Sequence, residues 1–144
     1  MLEAASRYAG KYQLVVAGAP SIPHEYYDKF ISGHDVSVVY DQTYPMLAHS
    51  TAALVTSGTA TLETALFGVP QVVCYETPIP KVIAFLRKHL IKVRYISLVN
   101  LIADREVVTE LVADTFSVEN ITKELGKLQP GSPSCREAHR PGVL

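Results

Sequence analysis

The chain has 144 residues, 48% of them hydrophobic and 19% charged, with a net charge of −1. That length supports one domain with a real core, and the composition excludes a disordered chain. The near-neutral charge offers no field that would draw nucleic acid, and two cysteines, Cys74 and Cys135, are too few for a disulfide framework and fit a reduced, intracellular setting.

The opening segment "MLEAASRYAGKYQ" is amphipathic and mixed in charge, which predicts a helix over 2–9 and not a signal peptide. Four short β-rich runs follow: "YQLVVAG" (12–18), "DVSVVY" (35–40), "AALVT" (52–56) and "PQVVCYE" (70–76). They alternate with helical patterns at 23–32, 43–49 and 59–68. The runs are continuous in apolar character, as in parallel strands covered on both faces. Later helices are predicted at 79–90, 105–113 and 118–127, the last with Ser117 as its N-cap. Residues 129–144, "QPGSPSCREAHRPGVL", carry no periodicity and read as an irregular tail behind a domain spanning 1–128. No apolar stretch approaches the length of a membrane span.

Strand–helix alternation with short linkers means βαβ units and hence an α/β fold with an open, Rossmann-like parallel sheet in three layers. Such sheets bind ligands beyond the carboxyl ends of their strands. The polar clusters "AGAPS" (17–21), "YDQTYP" (40–45) and "TSGT" (56–59) all fall at such ends, which points to one shared site along that edge.

The strand-to-helix junction "TSGTATLE" (56–63) carries the most specific chemistry. A helix N-terminus presents unpaired N–H groups and a partial positive charge, so it attracts phosphate. Gly58 lets the backbone approach closely, and Ser57 and Thr59 add hydroxyl donors. Glu63 shares a helix face with Thr59, four residues before it. A carboxylate there repels phosphate but accepts two hydrogen bonds from a vicinal diol such as a ribose. Phosphate donors followed by a diol acceptor describe a nucleotide diphosphate lying over a helix. The plainer alternative is an N-cap at Ser57 or Thr59 with Glu63 solvated. Neither of the familiar glycine-rich phosphate loops occurs.

No D-x-D pair is present, and His24, His34, His49, His89 and His139 are scattered without metal-ligand spacing, so no metal or other cofactor is expected. The segment "PKVIAFLRKHLIKVRY" (80–95) holds Lys81, Arg87, Lys88, Lys92 and Arg94 without an acidic residue. Its apolar residues recur at helical spacing. It reads either as a core helix with a solvated basic edge or as a helix resting on an anionic lipid surface.

Two motifs, S-G-T-A-x-L-E at 57–63 and S-L-x-N-L-x-x-x-R-E at 97–106, together resemble the C-terminal half of lipid-A-disaccharide synthase, over roughly residues 1–128. That family is a glycosyltransferase of the two-Rossmann-domain (GT-B) class. The resemblance implies a donor domain for UDP-2,3-diacylglucosamine, with 2,3-diacylglucosamine 1-phosphate as the lipid acceptor and UDP as the leaving product. It implies donor-diphosphate contacts from Ser57, Gly58 and Thr59 and ribose contacts from Glu63. Asn100 and Arg105 would lie near the donor sugar and its phosphates, and Gln42 and Thr43 near the uracil. It further implies a cytoplasmic enzyme peripheral to the inner membrane. The family's G-S-R segment and acceptor domain would precede residue 1. The chain is therefore expected to be a donor-domain fragment lacking its first strand, inactive alone and prone to self-association through an open sheet edge. A UDP-sugar 2-epimerase-like domain and a non-catalytic nucleotide-binding module are the competing readings.

Overall fold

The computed structural model describes residues 1–56, 58–76 and 95–132. The chain divides into two compact units, Met1–Ser50 and Thr51–Leu144. The predicted helix at 79–90, the basic residues Lys81, Arg87, Lys88, Lys92 and Arg94, and the end of the tail lie outside the described residues.

The first unit runs α1 (Leu2–Ser6), β1 (Leu14–Gly18), α2 (His24–Ile31), β2 (Val36–Tyr40) and α3 (Thr43–Ala48). β1 and β2 pair in parallel, with Leu14 opposite Val36 and Gly18 opposite Tyr40. A parallel pair needs a crossover, and α2 supplies it. Gly18 is fixed by its neighbour: a β-carbon there would lie 2.2 Å from Cε1 of Tyr40. The Tyr40 ring in turn stacks on His24, with centroids 3.7 Å apart and planes 11° from parallel.

The second unit holds β3 (Ala53–Val55), α4 (Gly58–Leu66), β4 (Gln71–Tyr75), α5 (Leu98–Ala103), β5 (Thr109–Val112), a 3₁₀ turn (Ala113–Thr115) and α6 (Val118–Lys127). Among the described residues its strands are parallel, in the order β3-β4-β5. As the central strand, β4 is covered on both faces: Val72, Val73 and Cys74 are each at most 1% exposed. Burying each valine contributes about 2 kcal/mol, so "QVVC" dominates this core. α4 packs on β3, β4 and α5, while α6 packs on β4 and β5 through the fully buried Ile121.

α4 ends in a Schellman motif. Gly68 sits at φ 66°, its N–H donates to the Ala65 carbonyl, and Val69 N–H reaches back to the Thr64 carbonyl. Ser117 caps α6 by accepting from Asn120 N–H, as expected. The helix predicted at 105–113 is absent, because Thr109–Val112 form β5. The β-branched "VVT" run suits an extended edge, and the helix of this region comes earlier, from the Ser97 cap to Asp104 in the left-handed conformation. The alternation predicts one sheet; among the described residues the ladders form two, each within its own unit.

Candidate functional site

The two sequence motifs meet in the second unit. α4 begins at Gly58, directly beyond the carboxyl end of β3, and α5 begins at Leu98. A β-carbon on Gly58 would lie 3.6 Å from Cδ1 of Leu98, so the two helix starts are neighbours. Ser57 lies outside the described residues. Thr59 is exposed and Glu63 is half-buried. The helical repeat places both on one side of α4.

The opposite side of α4 is buried and polar, which sequence reasoning did not single out. Thr61 and Thr64 turn their hydroxyls inward, donating to the Gly58 and Ala60 carbonyls at 2.6 and 2.7 Å. Gln71, at the start of β4, donates from Nε2 to the Thr61 carbonyl at 2.9 Å. Its Oε1 is buried without a hydrogen-bond partner. The Gln71 bond ties the start of α4 to β4, while the two hydroxyl bonds lie within the helix.

The second motif is organised around a carboxylate outside it. Glu110, on β5, accepts from Ile96 N–H (2.8 Å), Ser97 N–H (2.9 Å), the Ser97 hydroxyl (2.7 Å) and Asn100 Nδ2 (2.8 Å). Ser97 also accepts from Asn100 N–H, so its hydroxyl caps α5 while donating to the carboxylate. Burial first, and the Glu110 carboxylate second, push the Tyr75 phenol upward.

Asn100 is fully buried. Its Nδ2 donates to the Val108 carbonyl and to Glu110, and its Oδ1 accepts from Val107 and Val108 N–H at 2.7 and 2.9 Å. That uses both amide hydrogens and both oxygen lone pairs. The amide therefore has no capacity left for a sugar hydroxyl in this arrangement, and what it does is hold the turn between α5 and β5. Arg105 is on that turn, exposed, with its N–H on the Asn100 carbonyl.

In the first unit, Gln42 and Thr43 follow the carboxyl end of β2. Asp41 takes φ 55°, Gln42 is exposed and starts α3 without a side-chain cap bond, and Thr43 is half-buried. Beside them, the Tyr27 hydroxyl accepts from Ala19 N–H at 2.7 Å. Together with the His24–Tyr40 stack, this gives the carboxyl ends of β1 and β2 an aromatic lining.

Among the described residues, no group of His, Cys, Asp and Glu side chains is arranged to hold a metal ion, and no helix is long and apolar enough to cross a membrane.

Residues 8–138 match the lipid-A-disaccharide synthetase family. A lipid-A-disaccharide synthase of Geobacter sulfurreducens is 37% identical over 113 residues, covering 78% of this chain and 28% of the relative. One of Acidobacterium capsulatum is 42% identical over 98 residues, covering 67% and 24%. One of Anaeromyxobacter dehalogenans is 34% identical over 144 residues, covering 96% and 37%. The chain thus spans from about a quarter to just over a third of the length of these relatives.

Proposed function

Because the chain belongs to the lipid-A-disaccharide synthetase family, we propose that it is the donor-binding part of a glycosyltransferase. In this reading the enzyme transfers 2,3-diacylglucosamine from UDP to 2,3-diacylglucosamine 1-phosphate, forms the lipid A disaccharide and releases UDP. The bond between the anomeric carbon and the diphosphate oxygen breaks, an acceptor hydroxyl oxygen bonds to that carbon and releases its proton to solvent, and UDP leaves with the electron pair. The developing negative charge needs fixed donors aimed at the leaving oxygens.

The observation that carries this reading is the start of α4 at the carboxyl end of β3, with Gly58 and Thr59 at its first turn and Glu63 one turn on. Ser57, Gly58 and Thr59 take the diphosphate through hydroxyls and the N–H groups that no helix satisfies internally. Glu63 accepts the ribose hydroxyls. Arg105 supplies positive charge near the phosphates from a turn that Asn100 holds in place, which makes Asn100 a brace and not a sugar ligand. The basic segment containing Lys81, Arg87, Lys88, Lys92 and Arg94 meets an anionic membrane surface, from which lipid substrates are drawn, and places a cytoplasmic enzyme at the inner membrane.

UDP titration followed by NMR tests the placement. Affinity is expected on the order of millimolar, or about −4 kcal/mol, with the amides of 58–63 shifting first. Glu63→Gln keeps the size but loses charge-assisted acceptance from the diol, which costs about 1–3 kcal/mol of UDP binding. Shifts confined to other loops, or unchanged affinity in that variant, would refute the assignment.

A further inference from the structure

We propose that Glu110 is a positioning residue of the donor site. It is a built-in anion that braces the entry to α5, and so sets where Leu98 stands beside Gly58 and holds the turn that carries Arg105. The proposal rests on the donor-site reading above and adds a residue that lies outside both sequence motifs.

Two features of the geometry carry it. First, the two oxygens of Glu110 accept four hydrogen bonds, two from the backbone N–H groups of Ile96 and Ser97 and two from the side chains of Ser97 and Asn100. The N–H groups just before α5 and two side chains at its start are thereby paired inside the chain. Second, Leu98 and the turn that carries Arg105 both hang from that carboxylate. Leu98, the neighbour of Gly58, directly follows Ser97, whose N–H and hydroxyl both end on Glu110. Asn100, held by the same oxygen, fixes Val107 and Val108 through its Oδ1 and receives Arg105 N–H on its carbonyl. Asp104, immediately before Arg105, is in the left-handed conformation. A turn with that backbone stays put only when its neighbours determine it. The chain of contacts runs from Glu110 through Asn100 to Arg105, and from Glu110 through Ser97 to Leu98 and Gly58.

Hydrogen bonds to a charged acceptor are the stronger kind, and removing one partner leaves buried donors unpaired. Loss of the carboxylate should therefore loosen both Leu98 and the Arg105 turn, although Glu110 itself does not meet UDP. The test uses the 144-residue chain as wild type, Glu110→Gln and Glu110→Ala, with UDP as the probe and NMR as the readout. Measurements are made where the β3–β4 amides show the chain folded. UDP affinity is expected to fall about tenfold in Glu110→Ala and less in Glu110→Gln, which keeps the size and one acceptor. Added acetate should restore part of the affinity in Glu110→Ala and none in Glu110→Gln, where the space is filled. In the wild type, UDP should also shift Ile96, Ser97 and the Asn100 side-chain amide, a measurement that does not depend on either variant folding. If the wild type binds UDP at 58–63 while these three resonances stay still and the variants keep full affinity, Glu110 is only a fold residue and the proposal fails. If the wild type does not bind UDP at all, the donor-site reading fails and takes this proposal with it.

Discussion

Gly58→Ala separates a glycine kept for folding from one kept for a ligand. Gly58 does not need its glycine for the chain's own sake. An added β-carbon would meet Leu98 Cδ1 at 3.6 Å and Cγ at 3.7 Å, ordinary contact distances, and the backbone there does not lie in the left-handed region. Alanine is the better helix former, and stiffening the unfolded chain adds to its advantage, for about 0.4–1 kcal/mol together. Contact of the new methyl with Leu98 adds no more than about 0.8 kcal/mol. The variant should thus unfold a few degrees higher, roughly 2–4 °C for a chain of this size. UDP binding should move the other way. A methyl between the starts of α4 and α5 displaces an oxygen that must come within hydrogen-bond distance of the first-turn N–H groups, so a loss of about tenfold or more is expected, or 1.4 kcal/mol. Thermal unfolding by circular dichroism and UDP titration on the same sample read both effects. A stabilised variant with undiminished UDP binding would refute the ligand argument. A destabilised one would refute the packing argument from which the magnitude was worked.

Gly18→Ala should behave oppositely, because its β-carbon would overlap the Tyr40 ring at 2.2 Å; a loss of about 1–3 kcal/mol in denaturant unfolding is expected, and a neutral result would show that the Tyr40–His24 stack yields easily. Cys74 is 1% exposed and burial pushes its thiol up to about 11, so alkylation at pH 8 should be negligible until the chain is unfolded. In the unfolded chain that thiol ionises near about 8.5, and between there and about 11 the folded state holds the extra proton; the thiol's contribution to stability is full below the lower value and falls as pH rises, a slope that Cys74→Ala should remove. Replacing Arg87, Lys88 and Lys92 with glutamine should weaken binding to vesicles rich in anionic lipid, most clearly at low salt; binding insensitive to both the substitutions and salt would leave that basic edge merely solvated.

What could be read from the sequence was local, and what could not was long-range. The four strands from Leu14 to Tyr75 and the Ser117-capped helix follow from periods and caps that lie within a few residues of one another. β5 was hidden because "REVVTELV" presents its apolar residues at a spacing that also suits a helix, and only pairing with β4 makes it extended. The Glu110 network was hidden for a similar reason. Its partners are 10 to 14 residues away, and nothing about a lone glutamate in a β-rich run marks it as an acceptor of four bonds. Asn100 shows the converse. Its place in a motif beside Ser97 invites a ligand role, yet its side chain is saturated by the chain itself. A motif says that residues belong together, and the hydrogen-bond inventory says whether they face outward or hold each other. Here Thr59 and Arg105 are exposed and Glu63 half-buried, while Ser97, Asn100 and Thr61 are buried and hydrogen-bonded within the chain. The exposed set can act on a ligand, and the buried set decides where it stands.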